Sequence, residues 1–135
     1  MAEAANLKDP QTWLEVAEIK LENARQIFNL GLYDDAISRL YYAMFYAAKA
    51  ALLIEGLDLR KHSSAVTKFR ELFVLTGRVE AEYLRYLERS DYAPFIPTSH
   101  ADAKEMLATA ETFIAKMKEV VKNYPRSASL ENESP

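Results

Sequence analysis

The chain has 135 residues, half of them hydrophobic and about a quarter charged, which is the balance of one ordinary globular domain. It has no cysteine, and this excludes disulfides, thiolate zinc sites and cysteine nucleophiles. The net charge of −3 is uneven, because residues 1–35 carry −4 and residues 57–90 carry +2. A weakly basic region can hold a phosphate or an acidic partner, but it is more typical of a solvated helix face.

The first two predicted helices form an antiparallel hairpin. Asp9-Pro10 opens the first helix, because aspartate is a good N-cap and proline in the first turn loses only a donor that would be unpaired. Gly31 supplies the left-handed residue that ends it. The second helix is predicted from Asp34 to Glu55, and the short link between the helices makes them neighbours.

The second helix is apolar almost all the way round. A surface helix needs one apolar stripe, so a helix of this kind must be covered on several sides. It is therefore either the central helix of a bundle or a helix shared with a second subunit. Arg39, Tyr42 and Tyr46 fall at spacings of three and four, which places a cation and two phenols on one side of it. Asp35, one turn before Arg39, favours an ion pair with that arginine.

Three further helices follow along the chain. The third is predicted from a cap at Ser63 or Ser64 to Gly77, the fourth from about Val79 to Ser90, and the last from Thr98 or Ser99 to about Asn123. Pro94 and Pro97 predict a loop before the last helix. No run alternates with a period of two, so no strand is expected. The sequence predicts an all-α, up-and-down bundle of four to five helices over residues 1–124, followed by a disordered tail, 125–135.

Candidate functional residues lie at the ends of these apolar helices. Arg39 stands beside tyrosines, His62 follows two cations, and Arg89, Asp91 and Tyr92 stand where the fourth helix breaks. An arginine can hold a phosphate by two hydrogen bonds, and a histidine can transfer protons near neutral pH. A structural role is the more ordinary explanation for each, since such residues also form ion pairs and helix caps. The two histidines are too few, and no Glu-x-x-His pair exists, so neither a metal site nor a cofactor is expected.

These features resemble the HEPN domain family. The residues that carry the resemblance are Ser38-Arg39-Leu40-Tyr41-Tyr42-Ala43-Met44-Phe45 and the alanine-rich continuation to Leu53, together with Lys61-His62, Phe69, Phe73-Val74 and Arg89-Ser90-Asp91-Tyr92. The central run is similar to the pattern SRxYYAxFxAAxALL of a small stand-alone branch. The resemblance covers roughly residues 10–122.

The resemblance implies a helical bundle that dimerises and that is encoded beside a minimal nucleotidyltransferase, the two acting as a toxin–antitoxin pair. Many relatives are metal-independent RNases that use an arginine followed four to six residues later by a histidine. No arginine precedes either histidine here by that interval, so no catalytic pair is assigned. Arg39, His62, Arg89, Asp91 and Tyr92 match the pattern of the branch, and they are candidates for binding a ligand or a partner.

Three functions remain open at this point. The first is a binding module, a homodimer that engages a nucleotidyltransferase, a nucleotide or RNA. The second is an RNase toxin built from Arg39, Arg89 and His62, although the missing motif predicts little or no RNase activity for the isolated protein. The third is a purely structural dimer. The N-terminus lacks the features of a signal peptide, and no run is long enough to span a membrane, so a cytoplasmic protein is expected.

Overall fold

Two long antiparallel helices form the centre of the bundle. The structure, a computed structural model, describes residues 6–88 and 98–123. In this part of the chain the α-helices are α1 (Pro10–Asn29), α2 (Tyr33–Ile54), α3 (His62–Phe69), α4 (Leu84–Leu87) and α5 (His100–Lys122), with a π-helical turn at Arg70–Val74 and a 3-10 turn at Ala81–Tyr83. No strand occurs among these residues, which confirms the predicted all-α fold class.

The hairpin of α1 and α2 follows the sequence closely. The Asp9 side chain accepts a hydrogen bond of 3.0 Å from the backbone N–H of Gln11, and Pro10 is the first helical residue. Gly31 has a φ of 83° in the turn between the helices, where any residue with a Cβ would be strained. The predicted N-cap and the predicted helix end are therefore confirmed.

The second helix is covered by neighbours within its own chain. Twelve of its 22 residues are buried, with α1, α3, α4 and α5 packed around it. Half of the buried residues are alanines: the full set is Ala36, Ile37, Leu40, Tyr41, Ala43, Met44, Phe45, Ala47, Ala48, Ala50, Ala51 and Leu52. Small side chains allow neighbouring helices to approach closely, so one bundle suffices to cover the helix. Its apolar character alone does not call for a second copy.

The predictions for the third and fourth helices need correction. α3 begins at His62, preceded by Lys61 in extended conformation, and not at a serine cap. The segment predicted to continue as α-helix to Gly77 changes at Arg70 into a π-helical turn. The predicted fourth helix is reduced to the 3-10 turn and the four residues of α4. The apolar residues of this segment lie close together in sequence and do not form a long amphipathic stripe. Only a short helix is therefore needed to pack them.

The last helix ties the bundle together. Ser99 caps α5 by accepting a hydrogen bond of 3.0 Å from the N–H of Asp102, as predicted. Ion pairs join α5 to α1, with Arg25 to Glu111 at 2.9 Å and Lys118 to Glu18 at 2.8 Å. The proline loop and the tail predicted for 125–135 lie outside the described residues. Within the described ranges, no helix has both the length and the hydropathy required to cross a bilayer.

Candidate functional site

The central helix has a single line of uncovered residues. Between Ala36 and Leu52, the residues of α2 that are exposed or half-buried are Ser38, Arg39, Tyr42, Tyr46 and Lys49. We call these five residues the open stripe. Their spacings of three and four place them along one side of the helix. The structure thus brings together Arg39, Tyr42 and Tyr46, as the sequence predicted.

A cleft lies at the first half of the open stripe. Its volume is about 440 Å³, and its lining residues are Ile27 from α1, Leu32 from the turn, and Asp35, Ser38, Arg39 and Tyr42 from α2. We call it the α1–α2 cleft. Apolar side chains, a cation, a carboxylate and two hydroxyls therefore meet in one concave surface. Leu30, in the turn that also contains Leu32, is 74 % exposed.

The guanidinium of Arg39 is exposed and has no ion-pair or hydrogen-bond partner among residues 6–88 and 98–123. The predicted ion pair with Asp35 is absent there, although both residues line the same cleft. Asp34 has a separate role, since its carboxylate accepts a hydrogen bond of 3.0 Å from the backbone N–H of Thr98. A pair on an exposed helix face is weak because water competes for both charges. The charge of Arg39 is therefore available to a ligand or a partner.

Aromatic rings line the rest of the open stripe. Tyr42 is 48 % exposed, and its ring lies 6.1 Å from that of Tyr46, nearly parallel to it. The ring of Tyr46 lies 5.4 Å from that of Trp13 on α1. The Nζ atom of Lys49 is 4.4 Å from the centre of the Trp13 ring, within the range of a cation–π interaction. The stripe is thus a row of packed rings with one cation near each end.

His62 is fixed at the start of α3. Its Nε2 atom lies 3.0 Å from the backbone carbonyl oxygen of Leu87. A carbonyl oxygen can only accept, so Nε2 carries the hydrogen and donates it. The imidazole also packs against Phe45 and Tyr41, with ring centres 4.9 Å and 5.7 Å away. Only Nδ1 is left for a ligand, and the first role of this histidine is to join α3 to α4.

His62 lines a second cleft, separate from the first. This α3–α4 cleft has a volume of about 320 Å³, and its lining residues are His62, Ser63, Val66, Thr67, Arg70 and Glu88. It shares no lining residue with the α1–α2 cleft, so the structure does not bring Arg39 and His62 into one pocket. Arg70 and Glu88 are not among the site residues predicted from the sequence. Arg70 could have been predicted, because its spacing of seven residues from Ser63 places the two on one side of a helix.

Arg89, Asp91 and Tyr92 lie outside the described residues, so their relation to either cleft stays a prediction. In the part of the chain that the structure does describe, no group of three or more histidine, aspartate or glutamate side chains is arranged to hold a metal ion.

Comparison with known proteins decides the family. A model of the HEPN domain matches residues 10–120. The chain belongs to the HEPN domain family. This HEPN protein is 35% identical over 119 residues to "Putative toxin MJ0605" of Methanocaldococcus jannaschii, covering 83% of this chain and 88% of that protein. It is 32% identical over 112 residues to "Putative toxin MJ0142" of the same organism, covering 78% and 76% of the two chains.

Another relative carries no functional name. The HEPN chain is 28% identical over 122 residues to a "UPF0332 protein" of Thermotoga maritima, covering 85% of this chain and 92% of that protein. The match to the HEPN domain confirms the resemblance read from the run between Ser38 and Leu53.

Proposed function

We propose that this HEPN protein is a protein-binding module of the toxin–antitoxin type, acting in the cytoplasm. Its partner is a minimal nucleotidyltransferase, which docks at the α1–α2 cleft. The observation that carries the proposal is the exposed guanidinium of Arg39, which has no partner among the described residues and lies in a cleft with Tyr42. Two relatives that carry the name "Putative toxin" support the toxin–antitoxin setting, and the nucleotidyltransferase is what the HEPN resemblance implies.

The make-up of the cleft favours a protein as the ligand. Tyrosine and arginine are enriched among the residues that contribute most to protein–protein binding, especially where apolar groups surround them. Ile27, Leu32 and Tyr42 supply that apolar surround. A polyanion such as RNA requires several cations along its path. The cleft has one arginine, and Asp35 beside it carries the opposite charge.

The hypothesis that the protein is an RNase has less support from the positions of these residues. It requires an arginine that holds the phosphate and a histidine within hydrogen-bonding reach of the transferred proton. Arg39 and His62 line different clefts, and Nε2 of His62 already donates to Leu87. We therefore expect little or no RNA cleavage by the isolated protein in EDTA. Robust cleavage that is lost in His62→Ala would reverse the order of the two functions.

Co-purification tests the proposed partner. The HEPN protein would be co-expressed with the nucleotidyltransferase encoded beside it, and the complex isolated through a tag on the nucleotidyltransferase. We expect a stable complex with the wild-type protein and at least a tenfold weaker one, about 1.4 kcal/mol, with Arg39→Ala. The unfolding free energy of that variant should change by less than about 1 kcal/mol, because the side chain is exposed.

A matched control separates a specific contact from loss of charge. Arg60 is also exposed and unpaired within the described residues, but it lines neither cleft. Arg60→Ala should bind the nucleotidyltransferase as the wild type does. Equal weakening by the two variants, or a complex that survives Arg39→Ala, would reject the α1–α2 cleft as the docking surface.

A further inference from the structure

The α1–α2 cleft contains two opposite charges that do not pair with each other. Asp35 and Arg39 are exposed, line the same cleft and lie four residues apart on α2. Neither side chain forms an ion pair or a hydrogen bond with any residue in the ranges 6–88 and 98–123. The carboxylate and the guanidinium therefore both remain available at one concave surface.

Opposite charges at a similar spacing do pair elsewhere in this bundle. Glu22 and Arg25 on α1 form an ion pair of 3.0 Å, and Lys68 pairs with Glu71 at 3.1 Å. The dipole of α2 stabilises Asp35 in the first turn of that helix, but this interaction does not occupy its oxygens. The open pair in the cleft is thus a feature of that surface and not of the protein as a whole.

The two charges stand in a defined order along α2. Four residues of an α-helix rise about 6 Å, so the negative group lies about one turn closer to the start of the helix than the positive group. Ser38 lies between them in sequence, and the apolar side chains of Ile27 and Leu32 line the same cleft. A partner that matches this surface needs the complementary charges at the same separation, with an apolar group beside them.

We propose that the cleft accepts a segment of the nucleotidyltransferase that carries a cation and a carboxylate about 6 Å apart, together with an apolar side chain. The cation, a lysine or an arginine, would pair with Asp35, and the carboxylate would accept two parallel hydrogen bonds from Arg39. The apolar side chain would contact Ile27 and Leu32. This inference rests on the proposed function, because it specifies the chemistry of the partner at the same cleft.

The order of the charges determines which ligands are accepted. A protein segment with the reverse order would meet a like charge at both positions, and like charges repel across an interface. A polyanion such as RNA is attracted by Arg39 but repelled by Asp35. Asp35 therefore strengthens the binding of the proposed segment and weakens the binding of a polyanion, so its replacement should move the two affinities in opposite directions.

Affinity measurements between the HEPN protein and the nucleotidyltransferase encoded beside it test this order. Asp35→Asn should weaken the complex about three- to tenfold, because one charged contact is lost. Asp35→Arg combined with Arg39→Asp keeps the net charge but reverses the order, and we expect it to weaken the complex about a hundredfold or more. Circular dichroism checks that each variant is folded.

Asp58→Asn is the matched control. Asp58 is exposed, has no ion-pair partner within the described residues and lines neither cleft. Its replacement should therefore change the affinity by less than about twofold. Equal weakening by Asp58→Asn and Asp35→Asn would show that only the overall charge matters, which would overturn the inference.

A second arm of the experiment identifies the partner's charges. A charge-reversal scan of the nucleotidyltransferase surface should find one acid and one base whose exchange restores binding to the doubly exchanged HEPN protein. A single-stranded oligoribonucleotide is the probe for a polyanion. If Asp35→Asn binds it more tightly than the wild type and binds the nucleotidyltransferase equally well, the cleft serves RNA and the inference is overturned.

The outcomes also separate this inference from the proposed function. If Arg39→Ala weakens the complex and Asp35→Asn does not, the cleft remains the docking surface, but the proposed charge order is wrong. If the wild-type protein forms no complex with the nucleotidyltransferase, the proposed function fails and the inference fails with it.

Discussion

Arg39, Arg60 and Arg70 have exposed guanidinium groups without a carboxylate partner in the described residues. An exposed charge that forms no pair contributes little to folding, so the stability of the bundle does not require these arginines. Two of the three nevertheless line clefts beside hydroxyl groups. Arginines of this kind are therefore candidates for binding a ligand or a partner. His62 differs from them, because it lines a cleft and also forms a hydrogen bond that joins two helices.

Replacement of His62 should reveal that structural bond. His62→Ala removes the hydrogen bond to the Leu87 carbonyl and the packing on Phe45, and we expect a loss of about 1 to 3 kcal/mol in unfolding free energy. Urea denaturation followed by circular dichroism measures it. His100→Ala is the matched control, because His100 is exposed and its ring contacts among the described residues are with Phe28 and Tyr33. A His62→Ala protein as stable as the control would contradict the assigned role.

The helices differ in how far their sequence determines them. α1, α2 and α5 have long amphipathic or apolar patterns with recognisable ends, such as Asp9, Gly31 and Ser99, so their positions could be predicted. The π-helical turn could not, because apolar residues such as Phe69 and Phe73 keep a helical spacing whichever hydrogen-bond pattern they adopt. α4 was overestimated since its apolar residues form one short cluster.

The two clefts show the same contrast. Arg39, Tyr42 and Tyr46 share one face of one helix, so periodicity alone placed them together. The α3–α4 cleft depends on the contact between His62 and Leu87, which are 25 residues apart. Contacts across that separation follow from how helices pack in three dimensions, which the local pattern around His62 does not contain. Arg70 and Glu88 were therefore missed.

The alanines of α2 should not tolerate enlargement. Ala47 is fully buried where neighbouring helices approach α2, so Ala47→Leu should cost about 1 to 3 kcal/mol through overpacking. Ala115→Leu on α5 is the control, because this alanine is exposed and leucine is a good helix former. Thermal and urea denaturation compare the two. Equal stability of both variants would show that the packing around α2 is loose.

An ion pair to α5 should make stability depend on pH. Lys116 donates a hydrogen bond of 2.7 Å to Glu80, and this bond lowers the pKa of the Glu80 carboxyl from its ordinary value of 4.5. The folded state thus binds that proton less readily than the unfolded state. The contribution to stability is present above the ordinary pKa and is lost as the pH falls through the lowered one.

The measurement is urea denaturation between about pH 6 and about pH 3. Glu80→Gln should reduce the loss of stability on acidification. Glu82→Gln is the control, since Glu82 is exposed and pairs with no cation in the described part of the chain. Parallel pH profiles for the wild type and Glu80→Gln would exclude a contribution from the pair.

The whole molecule is expected to be a homodimer, as the HEPN resemblance implies, although one chain already covers most of α2. The surface left for a second copy on that helix is the end of the open stripe, where Tyr46 and Lys49 meet Trp13. Aromatic residues with an apolar face are typical of such contacts. Light scattering should return twice the 15.4 kDa of one chain.

A charge reversal tests where the two copies meet. Lys49→Glu would place a carboxylate among those rings and should dissociate the dimer, whereas Lys104→Glu, at an exposed position on α5, should not. A monomeric wild-type protein, or a Lys49→Glu protein that still dimerises, would contradict this prediction.

The narrowness of the open stripe also bears on how such proteins diverge. Nearly every other position in the middle of α2 is buried, so most substitutions there carry a penalty in stability before they can affect recognition. Substitutions at the exposed positions Ser38, Arg39 and Tyr42 cost little stability. A lineage can therefore change the partner it recognises by altering a few uncovered residues while the buried alanines hold the bundle constant. The residues that determine recognition and the residues that determine folding thus lie on different sides of the same helix.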